Sequence, residues 1–320
     1  MSNFRFRILD FRFQFIQNQK SKIKNTSGQM LIVVFWVLGL ATVGIGTLSL
    51  RAVQELRAGR LDTELLEADA AAHAAVAMAA AFVAEDDPSI DHLKEPWATG
   101  EDPKHEGLSL RDLAIGRARC SIGAQRSDDT FEAGLIDAER RLNLNTASPE
   151  SLARLIDAMQ RDDPGRLDGR TASEIAAAIV DWRDAEAGSW CAGGSSACHD
   201  APFDTIGELL LVPGMAPALV AALRPHVTGD GLGTVNINTA DELVVQAVGL
   251  TGSQITALLA QRQSAPLASV PNDYPPGFGV QSSCFEVPVT VTVRDSAARV
   301  RRVAVLDRSG VIHHWISVSP

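Results

Sequence analysis

The sequence predicts an α+β protein: a long N-terminal helix, its first half able to cross a membrane, packed on an antiparallel sheet, with a large all-α domain inserted into that sheet domain. Three observations predict it. Met30 to Leu50 is apolar and carries no charge. Strand-like alternation lies near 117–124 and again near 285–318. Between these stretches, residues 142–183 and 235–262 repeat one helical pattern.

The membrane segment comes first. A helix of about 20 residues spans the roughly 30 Å hydrocarbon core of a bilayer. A buried core helix of that length would carry a polar stripe, and this run has none. Arg5, Arg7, Arg12, Lys20, Lys22 and Lys24 precede it, with Asp10 the one acid among them, while the 320-residue chain as a whole has net charge -10. That asymmetry places the N-terminus in the cytoplasm and the body outside. A removable secretory signal would be shorter and closed by a small-x-small site. Here the helical pattern continues instead. Leu61, Leu65, Ala68, Ala72, Val76, Ala79 and Val83 recur at three- and four-residue steps, with Glu55, Arg57, Arg60, Asp62, Glu64 and Glu67 on the wet side. Asp86-Asp87-Pro88 ends the helix near Ala84.

Residues 85–107 read as a polar linker rich in Pro and Gly. Ala118, Cys120, Ile122 and Ala124 predict a strand, and Phe131 to Asp137 a second. LNLNTASPESLARLI then matches VNINTADELVVQAV, and each copy is followed by a second short helix, TASEIAAAIVDWR or GSQITALLAQR. Between them ELLLVPGMAPALVAALRPHV predicts two short helices about a Pro-Gly turn. Thr146 or Ser148, and Thr239 or Asp241, suit helix caps. After a Pro, Gly and Ser-rich loop, Phe285 to Val293, Val300 to Leu306 and Val311 to Val318 predict strands at hairpin spacing. The expected organisation is a leader (1–28), membrane helix (29–50), its amphipathic continuation (51–84), a first part of the α/β domain (85–140), the helical insertion (141–265) and the last strands (266–320).

A basic leader ending in Gly28, a greasy half-helix and an amphipathic half-helix together resemble the pilin and pseudopilin superfamily. The resemblance implies cleavage after Gly28 by the prepilin peptidase, with Gln29 as the new, methylated N-terminus. HLKEPW, LNLNTAS with NINTA, DWRDAE and ELLLVPGM resemble the K-type minor pseudopilins of type II secretion systems, over most of the chain from Gly28 onward. Most of the superfamily carries Glu at the fifth mature position, where this chain has Val33. An unpaired charge in the bilayer costs about 2.5 to 3.5 kcal/mol. A subunit without that carboxylate cannot pair with a neighbour's ammonium, so the resemblance implies a tip subunit. It also implies I- and J-type minor pseudopilins, the inner-membrane secretion platform and exported proteins as partners, and initiation or capping of pseudopilus assembly as the role.

The chemistry-bearing residues are few. Cys191 and Cys198 flank AGGSSA, and an export-side location favours a disulfide there, worth about 2 to 3 kcal/mol. A zinc site with His199 is the rival, but zinc cysteines are usually about two to four residues apart. The even count invites a second pair, Cys120 with Cys284, although the two differ in strand phase. Asp181, Asp184, Glu186, Asp200 and Asp204 crowd that loop. Calcium takes about six to eight oxygens, and some K-type pseudopilins bind calcium in this domain, so Asp184, Glu186 and Asp200 are its candidate ligands; solvated acids are the plain alternative. The acidic, tyrosine-containing stretch that follows DW-x-D in the family is missing here. The seven His are scattered, His313-His314 faces both sides of one strand, and no nucleophile motif stands beside any of them. No enzyme is expected. The rival function is a membrane-anchored helix-hairpin-helix protein for DNA binding or uptake. VPGMAPAL has Ala216 where such hairpins carry a second glycine, and the acidic surroundings do not suit phosphate. No nucleic-acid partner is expected.

Overall fold

The structure is a computed structural model that describes residues 27–101, 108–125, 131–160, 167, 169–184 and 199–318. The chain divides into two compact units, residues 1–60 and 61–320. The described part of the first unit is the opening of helix α1 (Ser27–Ala84). Its apolar side chains, from Met30 through Leu50, are exposed throughout. Its best window has mean hydropathy 2.3, so the helix is long and apolar enough to cross a membrane.

In the second unit α1 continues to Ala84. It is followed by α2 (Pro96–Thr99), β1 (Leu113–Ile115), β2 (Ala118–Gln125), β3 (Phe131–Ala133), β4 (Ile136–Asp137) and β5 (Leu142–Asn143). Then come α3 (Pro149–Gln160), α4 (Ala172–Arg183), α5 (Pro217–Leu223), β6 (Val227–Thr228), β7 (Val235–Asn236), α6 (Glu242–Val248) and α7 (Gly252–Ser264). The last elements are β8 (Phe278–Gly279), β9 (Cys284–Val293), β10 (Arg299–Asp307) and β11 (Ile312–Val318).

The main sheet runs β1-β2-β9-β10-β11, with β3 on β2 and β4 on β9, and every pairing is antiparallel. Strands from either side of the insertion thus meet directly: Cys120 of β2 lies opposite Val291 of β9. Val287, Val289, Val291 and Val293 point into a core with Ala68, Ala72, Ala75, Val76, Ala79 and Val83 of α1. The alanines allow a close approach, seen where Cys120 Sγ reaches Ala71 O at 3.7 Å. Enlarging one of them would overpack this seam, a change that usually costs about 1–3 kcal/mol. A second core, from Leu142 to Phe278, belongs to the insertion.

Four expectations need correction. Residues 85–101 are not a loose polar linker: Asp91 and Trp97 are fully buried, and Trp97 packs edge-on to Phe285. The polar letters hid this because Asp91 is buried by pairing rather than by apolarity. The single strand expected over 131–137 is two, broken at Gly134 (φ +114), where a Cβ would meet Ala98 O at 2.2 Å. The insertion is not purely helical, since β5 pairs with β6 and β7 with β8 in two short parallel ladders. In the pair about Pro213-Gly214, the first helix is a 3-10 turn, Ile206–Leu211.

Candidate functional site

The two Asn-x-Asn-Thr-Ala turns build equivalent structures. In the first, Asn143 Oδ1 accepts from Asn145 N at 2.8 Å and holds its own turn. Asn145 then clamps a distant segment: Phe203 N donates to its Oδ1 (2.7 Å), and its Nδ2 donates to Phe203 O (3.1 Å) and Gly229 O (2.9 Å). In the second, Asn236 Oδ1 accepts from Asn238 N (3.0 Å), and Asn238 clamps Leu267 through bonds of 2.8 and 3.0 Å. The amide side chain is suited to this because one end donates while the other accepts. Helices follow both turns. Ser148 caps α3 by accepting from Ser151 N (3.1 Å), and Asp241 caps α6 by accepting from Val244 N (2.9 Å). Of the paired cap candidates, Ser148 and Asp241 do the work, not Thr146 and Thr239.

The copies part company at their first asparagine. Asn143 Nδ2 donates to Asp230 O (2.9 Å), within the insertion. Asn236 Nδ2 donates to Asp91 O (3.2 Å), Asp137 Oδ2 (3.1 Å) and Ser282 Oγ (2.9 Å), all at the sheet side of the junction. Thr239 Oγ1 adds a 2.5 Å bond to Asp137 Oδ2. Burial pushes the Asp137 carboxyl up to about 6 despite these donors.

A second polar cluster lies beside it. Asp91 accepts from Ser282 N (2.6 Å) and from the Arg308 guanidinium, whose Nε donates to Ser282 O (2.9 Å). Asp86 Oδ2 lies 3.7 Å from Arg308 Nη1. Glu95 Oε2 accepts from His92 N and from Trp97 Nε1, each at 2.8 Å, and so fixes the buried indole. Carboxylate oxygens of Asp86, Asp91 and Glu95 lie within 4.8 Å of one another. Burial raises all three, Glu95 to about 7, and Arg308 supplies a cation among them. This cluster joins the end of α1 to the turn between β10 and β11 through Arg308. Sequence reasoning missed it because its members are spread from residue 86 to residue 308.

The residues singled out in the sequence scatter. Gly28 and Gln29 lie in the first turn of α1. Val33 is 59% exposed, as a lipid- or partner-facing residue would be. Asp184 closes α4, is exposed, and sits 3.3 Å from Arg183 Nε. Asp200 has φ +50 and donates its N–H to Trp182 O (3.0 Å), so the chain returns close to the end of α4. Glu186, Cys191 and Cys198 lie outside the described residues. Of the five acids around that loop, Asp181, Asp184, Asp200 and Asp204 lie among the described residues and Glu186 does not. Cys120 and Cys284 are both free and buried, so they do not pair. The register explains it: Cys120 faces Val291, seven positions along β9 from Cys284. Burial pushes their thiols up to about 11 and about 12, which makes them unreactive at neutral pH. His73 stacks on Trp315 with ring centroids 3.9 Å apart, and His313 and His314 bond Asp307 and Asp230 respectively. At the Pro-Gly turn, Arg170 Nη1 donates to Pro213 O (3.2 Å), and a Cβ on Gly214 would strike that guanidinium at 1.9 Å.

Residues 137–229 match the family described as type II secretion system (T2SS), protein K, first domain. No curated protein matches the sequence. Among solved structures, a chain in the crystal structure of the GspK-GspI-GspJ complex from the enterotoxigenic Escherichia coli type 2 secretion system is similar, with a TM-score of 0.56 at 18% identity. The match covers 83% of this chain and 100% of that one. At that identity the likeness is one of fold: a long N-terminal apolar helix with mixed helix and antiparallel sheet. The stretch from β4 to β6 is the part that matches the protein K family, which agrees with the K-type resemblance read from the sequence.

Proposed function

We propose that this chain is the tip minor pseudopilin of a type II secretion pseudopilus. The observation that carries the reading is the conjunction of a protein K domain with an exposed apolar helix long enough to span a membrane. In this reading the chain crosses the inner membrane once, with its N-terminus cytoplasmic and its body periplasmic. The prepilin peptidase cuts after Gly28 and leaves Gln29, methylated, at the head of α1. Val33 cannot neutralise a neighbour's terminal ammonium, which suits a subunit at the end of a fibre. Its partners are I- and J-type minor pseudopilins and the inner-membrane platform, and exported proteins contact its periplasmic body. The work is done by helix packing and steric capping, with no catalytic residue. The paired helices of the insertion, similar in pattern to helix-hairpin-helix modules, serve as scaffold.

Co-expression with the I- and J-type pseudopilins of the same secretion operon tests the role. The reading expects a complex of all three that survives purification, and loss of secretion when this chain is deleted. A chain that never associates with either would contradict it. The reading also places a calcium ion on Asp184, Glu186 and Asp200. A chelator should then lower the melting temperature of the purified chain, and an unchanged melt would remove the ion.

A further inference from the structure

Three carboxylates meet just past the end of α1. Asp86 follows Ala84 closely, and Asp91 and Glu95 lie on the segment that leads into α2. One carboxylate oxygen from each lies within 4.8 Å of the others. Asp91 is fully buried, and the side chains of Asp86 and Glu95 are 10% and 12% exposed. Arg308, in the turn between β10 and β11, supplies the guanidinium among them. Its Nη2 donates to Asp91 Oδ1 and its Nε to Ser282 O. Its Nη1 stops 3.7 Å from Asp86 Oδ2, beyond hydrogen-bond reach. Asp86 Oδ2 is therefore buried with no hydrogen-bond partner among the described residues. Glu95 Oε2 is satisfied by His92 N and Trp97 Nε1, whereas Oε1 has His92 Nε2 no nearer than 3.8 Å.

Three carboxylates against one guanidinium leave this pocket two positive charges short when all three ionise, and a buried deficit of that kind is costly unless a cation or protons meet it. The basic neighbours do not supply the cation. Lys94 Nζ is turned to Gln263 O (3.1 Å). His92 Nδ1 accepts from Lys94 N (3.2 Å), which leaves its Nε2 carrying the proton of a neutral ring. That proton also keeps Nε2 from acting as a ligand, so the donors on offer are all oxygen. Zinc sites draw on His and Cys, whereas calcium takes oxygen alone. Calcium–oxygen bonds of about 2.3–2.6 Å place two ligands of one ion at most about 5 Å apart. The three carboxylate oxygens fall within that span.

We propose that Asp86, Asp91 and Glu95 hold a calcium ion, with Asp86 Oδ2 and Glu95 Oε1 among its ligands and water completing the shell. The ion ties the end of α1 to α2 and to the turn between β10 and β11. This site is separate from the acidic loop around Asp184, and it holds whether or not the chain acts at a pseudopilus tip. It is tested by calorimetric titration of calcium chloride into the full-length protein in detergent micelles, with Asp184→Asn/Asp200→Asn built in to remove the other proposed site. One saturable site is expected, binding calcium at least about tenfold tighter than magnesium, which demands shorter bonds and gives up water reluctantly. Adding Asp86→Asn or Glu95→Gln should weaken it at least about tenfold, and Glu85→Gln, an exposed acid beside them, should leave it unchanged. Saturating calcium should also raise the melting temperature, and Asp86→Asn should abolish that rise. Asp86 Oδ2 gives up no hydrogen bond on substitution, so Asp86→Asn carries the test if Glu95→Gln does not fold. No saturable calcium binding, equal binding of magnesium, or binding unchanged by Asp86→Asn would overturn the proposal.

Discussion

The two repeat copies share nearly every local device and differ in what those devices hold. Both close their turn with the first asparagine, clamp a distant loop with the second, and cap the next helix with a short polar side chain. The first copy spends its remaining donors inside the insertion, on Asp230 O, Leu144 O and Ala147 O. The second turns outward: Asn236 and Thr239 bond Asp91, Asp137 and Ser282, which belong to the segments that enter and leave the sheet. A sequence motif thus dictates the shape of a turn, while its neighbours decide whether it closes a core or fastens one core to another.

The largest expected difference lies at the first asparagines. Asn236→Ala leaves a buried carboxylate, a carbonyl and a hydroxyl without their donor, and should cost about 3–5 kcal/mol in urea unfolding. Asn143→Ala, which strands backbone groups only (the Asp230 and Gly231 carbonyls and the Asn145 N–H), should cost about 1–3 kcal/mol. Equal losses would erase the distinction between the copies. The arginines should reverse the order. Arg183→Met removes two carbonyl partners and an ion-pair partner, with an expected loss of about 2–3 kcal/mol. Arg262→Met removes a poorly compensated buried charge and should cost less than about 1 kcal/mol.

The junction that the second copy serves should also respond to pH. The Glu95 and Asp137 carboxyls are raised in the folded protein, to about 7 and about 6, so the folded state holds their protons more tightly than the unfolded chain does. Their protonated forms favour folding, and that contribution is lost as pH rises from near 4 through 6 to 7. Thermal melts should therefore show stability falling across that window, and Glu95→Gln should flatten the fall. A wild-type melt that rises steadily from pH 4 to 7 with no change in Glu95→Gln would contradict these assignments. The smallest effects belong to the caps: Ser148→Ala and Asp241→Ala should each cost about 1 kcal/mol. Asp241→Ala should cost slightly more, because it also releases His226.

Much of this was legible in the sequence because it depends on local period. The long helix, the alternation of β2, β9 and β10, and the repeat were all visible as spacing. The K-type resemblance rested on the same stretches that the family match covers in part. What stayed hidden was long-range pairing. Asp91 looks like a loop acid until Arg308 meets it from 217 positions away. Arg262 looks like an ordinary basic residue in the last turn of a helix, yet its Nη1 reaches back to Ala240 O while its Nε and Nη2 are buried with no hydrogen-bond partner among the described residues. Cys120 and Cys284 looked pairable by count, and strand register alone keeps them apart.

The pseudopilin reading stands or falls on how the head of α1 is made. Intact mass and N-terminal sequencing of the protein purified from its own membranes test it most directly. The account predicts a chain that begins at Gln29, N-methylated, with Met30 to Leu50 retained. A chain that begins at Met1, or one cut after Leu50, would contradict it.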